Sequence, residues 1–276
     1  MRRPDLAPTT TEPSLRDILF DSIIYNSRRE TGIRSFNQGG LTAIRDRIRN
    51  KEIVLVFDHG PVGYLSIAAH GHADTLSIWL SVDAHRVLVD AGTYVYHGDA
   101  AWRSHFRSTR SHNTVEVNRS DSSLMAGAFN WEHKASARIL ELDSGPMWRV
   151  SASHDGYVRR FGVRHVRTIE RTSAGFSIKD SLVGQPASAR IGFLVNPEYR
   201  LRVEGTSVFL GMDRREVVEV VVDSRFQLEI VSGREAPAEG WYSDRFGVKK
   251  PAPRITLSGT LGANPLTTEF RILSSE

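Results

Sequence analysis

Two histidines one residue apart, an aspartate and a third histidine are the residues of this chain best suited to chemistry. His70 and His72 flank Gly71 in an apolar stretch, Asp90 ends the segment Val-Leu-Val-Asp90, and His112 lies in Ser-His112-Asn. Neutral imidazole and carboxylate are ligands that zinc accepts, and three protein ligands with a fourth position for water or substrate form a common open site. His72, Asp90 and His112 are therefore candidate metal ligands.

Each of these residues also has a purely structural interpretation. A His-x-His pair is weak by itself, because residues i and i+2 of a strand share a face and two histidines there often form only a polar rim. For His72, Asp90 and His112 the alternative is a buried hydrogen-bonded cluster, and for His70 it is simple packing. We favour the metal site because neutral imidazoles beside a buried carboxylate are otherwise costly to satisfy. Asp74 is expected to stabilise a turn or a neighbouring histidine.

Arginines close to this constellation offer a binding site for an anion. Arg103 and Arg107 precede His112, and a planar guanidinium binds carboxylate or sulfate through two parallel hydrogen bonds. They are candidate substrate-binding residues, with salt bridges across loops as the alternative. Asn113 would point away from His112 if the segment is extended, and we interpret it as structural.

Composition limits the classes of protein that this chain can belong to. Its 276 residues, of which 40% are hydrophobic, are enough for one large β domain or two smaller ones, and we favour one. The absence of cysteine excludes disulfides and thiolate metal sites, so a bound metal must use His, Asp or Glu. A formal net charge of +4 does not indicate the concentrated basic face of a nucleic-acid-binding protein.

The chain shows no targeting segment that we recognise. Its start, Met-Arg-Arg-Pro-Asp-Leu, lacks the apolar core of roughly 7–15 residues that a secretory signal carries. No stretch approaches the roughly 20 apolar residues of a membrane-spanning helix. The sequence therefore predicts no membrane partner and leaves the location of the protein open.

Three segments follow one another along the chain. Residues 1–13 are rich in Pro and Thr and are expected to be a disordered lead-in. Residues 14–35 are expected to be a helical remnant or linker, because residues 14–28 show helical periodicity with Ser14 as a possible cap. A short amphipathic run at residues 42–49 is compatible with either a helix or a strand. The remainder, residues 36–276, is expected to form a β domain.

Strand patterns dominate from Glu52 onward. Short apolar segments recur at near-regular spacing, with Gly, Pro, Asn and Asp between them, which is typical of an all-β, two-sheet antiparallel sandwich. The predicted strands are residues 53–57, 63–67, 77–80, 86–89, 113–117, 135–142, 147–153, 163–171, 175–179, 189–194, 201–203, 216–222 and 227–230.

Several motifs in order along residues 36–251 resemble those of one known family. The resemblance is to the C-terminal β-sandwich domain of the heparinase II/III-like polysaccharide lyases, including related alginate lyases. The motifs are Phe36-Asn-Gln-Gly-Gly40, Val56-Phe-Asp-His-Gly60, Leu65-Ser-Ile-Ala-Ala-His70-Gly-His72-Ala-Asp74, Leu88-Val-Asp90-Ala-Gly92-Thr-Tyr94-Val-Tyr96, Phe106-Arg-Ser-Thr-Arg-Ser-His112-Asn113, Gly127-Ala-Phe129-Asn-Trp131, Gly240-Trp-Tyr-Ser243 and Phe246-Gly247.

This resemblance implies a function and a role for each candidate residue. The family cleaves polysaccharides next to a uronic acid by β-elimination, so the implied partner is an acidic polysaccharide. His70 corresponds to the histidine that faces the substrate, while His72, Asp90 and His112 correspond to the ligands of one structural zinc ion. Tyr96 falls roughly where some alginate lyases place a substrate-contacting tyrosine, although Tyr94 competes with it.

The family also has a helical toroid in front of the sandwich, and we find no counterpart of it here. Since the toroid supplies much of the catalytic machinery, two hypotheses follow. The chain is a polysaccharide lyase that needs a helical domain or subunit for turnover, so that alone it has little or no activity. Alternatively, it is an inactive sugar-binding or structural sandwich that retains the zinc. Family members are typically periplasmic or secreted. The sequence does not identify the polysaccharide.

Overall fold

The computed structural model describes residues 21–23, 30–63 and 67–274 of the chain. Residues 21–23 are helical. The lead-in predicted at residues 1–13 and most of the helix predicted at residues 14–28 lie outside the described residues.

Residues 32–154 contribute ten strands to the described structure. They are β1 (Gly32–Phe36), β2 (Leu41–Ile48), β3 (Lys51–Asp58), β4 (Ile78–Val82), β5 (His85–Leu88), β6 (Val115–Val117), β7 (Leu124–Met125), β8 (Trp131–His133), β9 (Ala137–Asp143) and β10 (Arg149–His154).

Thirteen further strands follow β10. They are β11 (Arg164–Arg171), β12 (Gly175–Val183), β13 (Ala187–Leu194), β14 (Arg200–Glu204), β15 (Ser207–Met212), β16 (Arg215–Val222), β17 (Gln227–Val231), β18 (Arg234–Glu235), β19 (Ala238–Glu239), β20 (Trp241–Arg245), β21 (Val248–Pro251), β22 (Arg254–Leu261) and β23 (Leu266–Ile272).

These strands form an antiparallel β-sandwich, as predicted. One layer is an eight-stranded sheet in the order β14-β15-β16-β23-β12-β11-β10-β9. The other combines a five-stranded sheet, β1-β2-β3-β4-β5, with a four-stranded sheet, β17-β22-β13-β6. An antiparallel bridge between Leu88 and Val195 connects these two sheets, flanked by backbone hydrogen bonds from Val89 to Leu194 and from Asn196 to Val87.

The main core lies between the layers. Alternate residues of β3, Ile53, Leu55 and Phe57, join it together with Ile178 and Phe270 of the eight-stranded sheet. The opposite face of β3 forms a smaller cluster from Val54, Val56 and Trp79, against which Ile23 packs. Because both faces of β3 are covered, its sequence is a continuous apolar run rather than an alternating one.

The structure resolves or corrects three local predictions. Residues 42–49, which the sequence left between helix and strand, are largely the strand β2. The strand predicted at residues 63–67 is wrong for the residues that are described, since Gly63 lies in a bend and Ile67 in a turn. The first strand begins at Gly32, ahead of the expected domain boundary at Phe36.

Helices are few in the described part of the chain. The helix α1 (Ala100–Arg107) begins at Asp99, whose side chain accepts hydrogen bonds from the backbone N–H groups of Ala101 and Trp102. A 3₁₀ turn (Thr109–Ser111) follows it, and α2 (Val158–Phe161) is a single turn. None of the described helices has both the length and the apolar character required to span a bilayer.

Candidate active site and metal centre

Loops between the strands bring the candidate residues together. His70 and His72 lie between β3 and β4, Asp90 follows β5, Tyr96 precedes α1, and His112 follows the 3₁₀ turn. His70 is exposed, Tyr96 is half-buried, and His72, Asp90 and His112 are buried. The site therefore has a buried part around His112 and an exposed part around His70.

The buried part contains a group of side chains with the chemistry and spacing of a metal site. Ligand atoms of His72, Asp74 and His112 all lie within 4.8 Å of one another. The two imidazole rings have centroids 5.1 Å apart. Asp74, for which the sequence suggested only a supporting role, thus lies within reach of a shared ion.

Asp90 contacts the same group from the other side of His112. Its Oδ1 lies 2.7 Å from His112 Nδ1, and its Oδ2 accepts a hydrogen bond of 3.0 Å from the backbone of Gly92. The turn requires glycine, because Gly92 has φ +82° and an added Cβ would stand 2.0 Å from the carbonyl oxygen of Ser243. Asp90 therefore holds the His112 ring while leaving the Nε2 atom of that ring for another partner.

The environment of the His112 Nε2 atom favours a bound metal. This atom is buried and has no hydrogen-bond partner within the described residues. A buried polar atom of this kind normally has a partner, and a carboxylate on Nδ1 is the usual way in which proteins orient a metal-binding imidazole. The residues present thus fit a zinc ion, which His72 and His112 would hold together with a neighbouring carboxylate.

Asn113 fixes the backbone next to His112. Its amide nitrogen donates to the carbonyl oxygens of Ile78 and Val89 at 2.8 and 2.9 Å, and its Oδ1 accepts from the backbone N–H of Leu194 at 2.6 Å. The side chain thus joins the five-stranded sheet to the four-stranded sheet. This agrees with the structural role expected from the sequence.

Two buried arginines hold this segment from opposite layers of the sandwich. Arg254 on β22 donates to the carbonyl oxygens of Ser111 and His112 at 3.2 and 2.8 Å. Arg167 on β11 donates to those of Leu76 and Asn113 at 2.8 and 2.6 Å. The backbone on both sides of His112 is therefore tied to the rigid sheets.

Buried carboxylates balance these arginines. Asp180 accepts from Arg167 Nε at 2.8 Å and Nη2 at 2.9 Å, and it lies 2.7 Å from His165 Nε2. Burial alone would raise the pKa of Asp180, but the charge of Arg167 and the contact with His165 lower it to about 2. Glu239 lies 3.7 Å from Arg254, whose pKa burial lowers to about 10, so that the guanidinium stays charged near neutral pH.

The exposed part of the site is aromatic and basic. The ring of His70 meets that of Tyr96 edge-on at 5.0 Å and that of Phe129 at 6.3 Å. The guanidinium carbon of Arg103 lies 5.1 Å from the centre of the Tyr96 ring, and Phe246 lies 5.2 Å from it on another side. The two predicted catalytic residues are thus neighbours.

Arg103 and Arg107 face into the protein rather than out to solvent, with exposed fractions of 1% and 0%. Arg103 donates to the carbonyl oxygens of Ala69 and Ala128, and Arg107 donates to those of Gly71, Gly127 and Ala128. They hold the backbone on both sides of His70 and join it to the loop that carries Phe129. Among the described residues, neither Arg103 nor Arg107 forms a salt bridge, which was the alternative role considered from the sequence.

One nitrogen of each guanidinium still has no hydrogen-bond partner within the described residues, namely Nη1 of Arg103 and Nη2 of Arg107. Burial lowers the pKa of both, that of Arg107 to about 10, with the charge of Arg103 as the second cause. Both remain cationic near neutral pH. The pair therefore supplies buried positive charge beside His70 as well as structural support.

Sequence reasoning missed the two sandwich arginines, Arg167 and Arg254. Arg167 lies in a strand that also carries His165, Thr168 and Glu170, so the sequence gives no local sign that this arginine is buried. Arg254 precedes the apolar residues Ile255 and Leu257, and an arginine in such a strand is a weak signal of a buried ion pair. It also missed α1, for which Asp99 before Ala-Ala-Trp was an available cap signal.

Comparison with known proteins decides the family. The family model for the heparinase II/III-like C-terminal domain matches residues 28–272. The chain belongs to this family. No curated protein matches it.

Solved structures share the fold of this heparinase II/III-like domain. The heparan sulfate lyase HepC of Pedobacter heparinus has a TM-score of 0.68 at 15% identity over 88% of this chain. A heparinase III structure has a TM-score of 0.69 at 16% identity over 88% of this chain, and another has 0.70 at 14% over 89%. The matches cover only 37%, 37% and 36% of those chains. This chain thus spans little more than a third of their length, and at such identities the likeness shows the fold alone.

Proposed function

We propose that this domain is the β-sandwich part of a polysaccharide lyase that cleaves a uronic-acid-containing polysaccharide by β-elimination. The observation that carries the proposal is the placement of His70 and Tyr96 in edge contact, beside the buried cations Arg103 and Arg107. The similarity to a heparan sulfate lyase and to heparinases in fold, together with membership of the family, supports an acidic polysaccharide as the substrate.

β-Elimination needs three groups to act together. The carboxylate of the uronate must be neutralised, the proton next to it must be removed, and the departing oxygen must be protonated. His70 can accept or donate a proton at the exposed edge of the site, and Tyr96 can orient the sugar ring. The Arg103–Arg107 pair provides a positive field at the substrate side of His70. The groups still needed would come from a helical domain, either elsewhere in a longer protein or in a partner.

We propose that zinc is bound by His72 and His112 with Asp90, the carboxylate that the family resemblance assigns. When bound, the ion would connect the loop before β4 to the segment before β6 and thus stabilise the site rather than react with substrate. Asp74 competes for the same position, since its carboxylate lies within the 4.8 Å group whereas Asp90 faces His112 Nδ1.

Metal analysis of protein purified without chelator tests the zinc proposal. We expect one zinc ion per chain, and EDTA should lower the melting temperature of the wild type but not that of His112→Ala. Asp90→Asn and Asp74→Asn form a matched pair. Zinc loss confined to Asp90→Asn supports the assignment, and loss confined to Asp74→Asn transfers the ligand role to Asp74. A metal-free wild type with a melting temperature unchanged by EDTA would refute the site.

The ultraviolet absorbance of the unsaturated product tests the lyase proposal. Heparan sulfate, heparin and alginate form the substrate panel. The chain alone should show little or no turnover, whereas the chain joined to a helical domain of a family lyase should be active. In that form His70→Ala should lower kcat by about 10²–10⁴-fold, and Tyr96→Phe should act mainly on KM. His85→Ala, at an exposed histidine outside the site, is the control.

Two outcomes would contradict this assignment. Undiminished turnover in His70→Ala would show that His70 is not catalytic. Robust cleavage by the isolated chain would show that the sandwich alone contains the base and the acid. Binding of the polysaccharide with no turnover in the joined form would favour the inactive sugar-binding sandwich instead.

A further inference from the structure

Phe129 is the aromatic residue at the centre of the exposed part of the site. It lies in the loop between β7 and β8, and its ring is half-buried. The centroid of this ring lies 5.4 Å from that of His97, 6.0 Å from that of Tyr96 and 6.3 Å from that of His70. Among the described residues, Phe129 has the one ring that contacts all three.

The side chains just before Phe129 leave its ring approachable from solvent. Residues 126–128 are Ala-Gly-Ala and are exposed, so none of them carries a bulky group that could cover the ring. Asn130, which follows it, is exposed as well. A half-buried aromatic ring with such neighbours offers a flat apolar contact at the surface.

Arg103 places a buried positive charge next to this ring. Its guanidinium carbon is 5.5 Å from the centre of the Phe129 ring and 5.1 Å from that of Tyr96, while only 1% of Arg103 is exposed. The two rings are therefore part of the cover that separates the guanidinium from water. A charge shielded in this way acts through a medium of low dielectric, so it attracts an anionic ligand on the rings more strongly than an exposed cation would.

The loop that carries Phe129 is fixed to the loop that carries His70. Arg107 Nη1 donates to the carbonyl oxygens of Gly127 and Ala128 at 2.7 and 2.8 Å. Trp131 Nε1 donates to the carbonyl oxygen of Ala68 at 2.9 Å, and the Arg107 guanidinium lies 4.3 Å from the centre of the Trp131 ring. Phe129 lies between these anchors, so a ligand that stacks on it orders little additional chain.

A uronate ring suits a surface of this kind. Where the hydroxyl groups of a pyranose are equatorial, its axial C–H bonds form a flat apolar face. These C–H groups carry a partial positive charge, which the negative face of an aromatic ring attracts. The carboxylate projects from the edge of the same sugar ring and is attracted by Arg103. A sugar stacked on Phe129 would also lie beside the exposed imidazole of His70.

We infer that Phe129 is the residue on which the uronate ring stacks, and that this contact selects uronates with an open C–H face and holds them beside His70. The inference rests on the proposed function for the reaction that follows, whereas the stacking is a binding property of this chain. Phe129 thus positions the sugar, and His70 exchanges the proton.

Binding of two charge-matched probes to the 276-residue chain tests the stacking without any need for turnover. Tetramannuronate and tetraguluronate have the same length and charge and differ in the configuration of the carbon that bears the carboxylate. Each mannuronate ring has one face with only axial C–H bonds, whereas axial oxygens interrupt both faces of guluronate. In NMR titrations the wild type should bind tetramannuronate about fivefold more tightly than tetraguluronate, and Phe129→Ala should lose this preference.

Three further variants separate the flat ring from general packing. Phe129→Tyr keeps the ring and should retain the preference, whereas Phe129→Leu keeps apolar bulk without a flat face and should lose it. Phe129→Leu decides the outcome if Phe129→Ala does not fold. Phe161→Ala is the matched control, because Phe161 is also half-buried and has the guanidinium carbon of Arg160 5.2 Å from its ring centre. It should bind both probes as the wild type does.

Several results would overturn the stacking. A wild type that binds the two probes equally, or binds neither, would show that Phe129 does not select an open C–H face. An unchanged preference in Phe129→Ala or Phe129→Leu would assign the preference to other residues. Loss of the preference in Phe161→Ala as well would show that it depends on general packing.

The proposed function and the stacking can fail separately. In the chain joined to a helical domain, Phe129→Ala should raise KM about fivefold with little change in kcat, because stacking holds substrate and transition state alike. If the joined form shows no turnover while Phe129→Ala still loses the preference, the lyase proposal fails and the stacking stands. If turnover depends on His70 while Phe129→Ala binds both probes as the wild type does, the stacking fails and the lyase proposal stands.

Discussion

Buried arginines hold the backbone around both His112 and His70, but they come from different elements and differ in their ion pairs. In both, buried arginines donate to backbone carbonyl oxygens on either side of the histidine. Around His112 the arginines belong to strands of the two layers and are neutralised by Asp180 and Glu239. Around His70 they belong to the single helix α1 and lack a salt-bridge partner within the described residues.

The two pairs of arginines therefore differ in what they can contribute to the site. Arginines whose charge is already balanced can only hold the backbone, so the His112 segment is a fixed part of the sandwich. Arg103 and Arg107 hold the backbone and also place buried positive charge beside the exposed His70 and the half-buried Tyr96. The buried cluster around His112 and the aromatic and basic surface around His70 thus lie side by side and depend on different parts of the fold.

Removal of Arg167 should have the largest effect on stability. Arg167→Met leaves Asp180 buried beside His165 with no cation, and we expect the free energy of unfolding to fall by about 3–5 kcal/mol. Urea denaturation measures this change. Lys179→Met, which removes a partly exposed ion pair with Glu170 on the neighbouring strand, should change the unfolding free energy by no more than about 1 kcal/mol. Equal losses in both variants would show that Arg167 does not hold the site from the core.

Removal of Arg107 should have a smaller and more local effect. Arg107→Met leaves the carbonyl oxygens of Gly71, Gly127 and Ala128 without their donor, at a cost of about 1–3 kcal/mol. Hydrogen exchange provides the local measurement, because the amide of Gly71 bonds to the carbonyl oxygen of Ala68. That amide should exchange faster in Arg107→Met than in Arg254→Met. Unchanged protection of Gly71 would mean that α1 does not fix the His70 loop.

Acid should lower the free energy of unfolding through His154, which lies on β10 of the eight-stranded sheet. Burial first, and then the charge of His165, lower the pKa of His154 well below its ordinary value of 6.5. Below about pH 6.5 the unfolded chain therefore binds a proton at His154 that the folded chain does not bind. The free energy of unfolding then falls by up to ~1.4 kcal/mol per pH unit because of this group.

Denaturation near neutral pH and about one and two pH units lower tests this dependence. His154→Asn, which keeps an acceptor for the backbone N–H of Gly156, should show a shallower fall in stability than wild type. His133→Asn, at a half-buried histidine on β8, is the control for the loss of an imidazole at another position. Parallel slopes in wild type and His154→Asn would contradict the assignment.

The smallest effect is expected at the exposed edge of the site. Phe246 contacts Tyr96 but is 41% exposed, so Phe246→Ala should lower the free energy of unfolding by less than about 1 kcal/mol. Phe270→Ala, in the main core at 0% exposure, should cost about 3–5 kcal/mol. Thermal melts of the two variants measure the contrast. A large loss in Phe246→Ala would show that the aromatic edge is part of the folded core.

The sequence alone determined the fold class and the identity of the central residues. Periodicity identified strands such as β3, β11 and β13, because residues that alternate or run continuously between two packed faces leave a local pattern. The order of His70, His72, Asp90 and His112 marked the site, and Asn113 was assigned a structural role that its three hydrogen bonds bear out.

Only the tertiary structure decided how those residues are held and which faces they present. The contact of Asp90 with His112 Nδ1, the approach of Asp74 and the inward direction of Arg103 and Arg107 join residues from different loops. Arg167 reaches the carbonyl oxygen of Leu76 across 91 positions in sequence, and Arg254 reaches that of His112 across 142. A side chain that bonds to a backbone carbonyl leaves no trace in the sequence of its partner, since every residue has such a carbonyl. The sequence therefore specified the candidate ligands and the aromatic residues, while the tertiary structure supplied the buried arginines that fix the backbone around them.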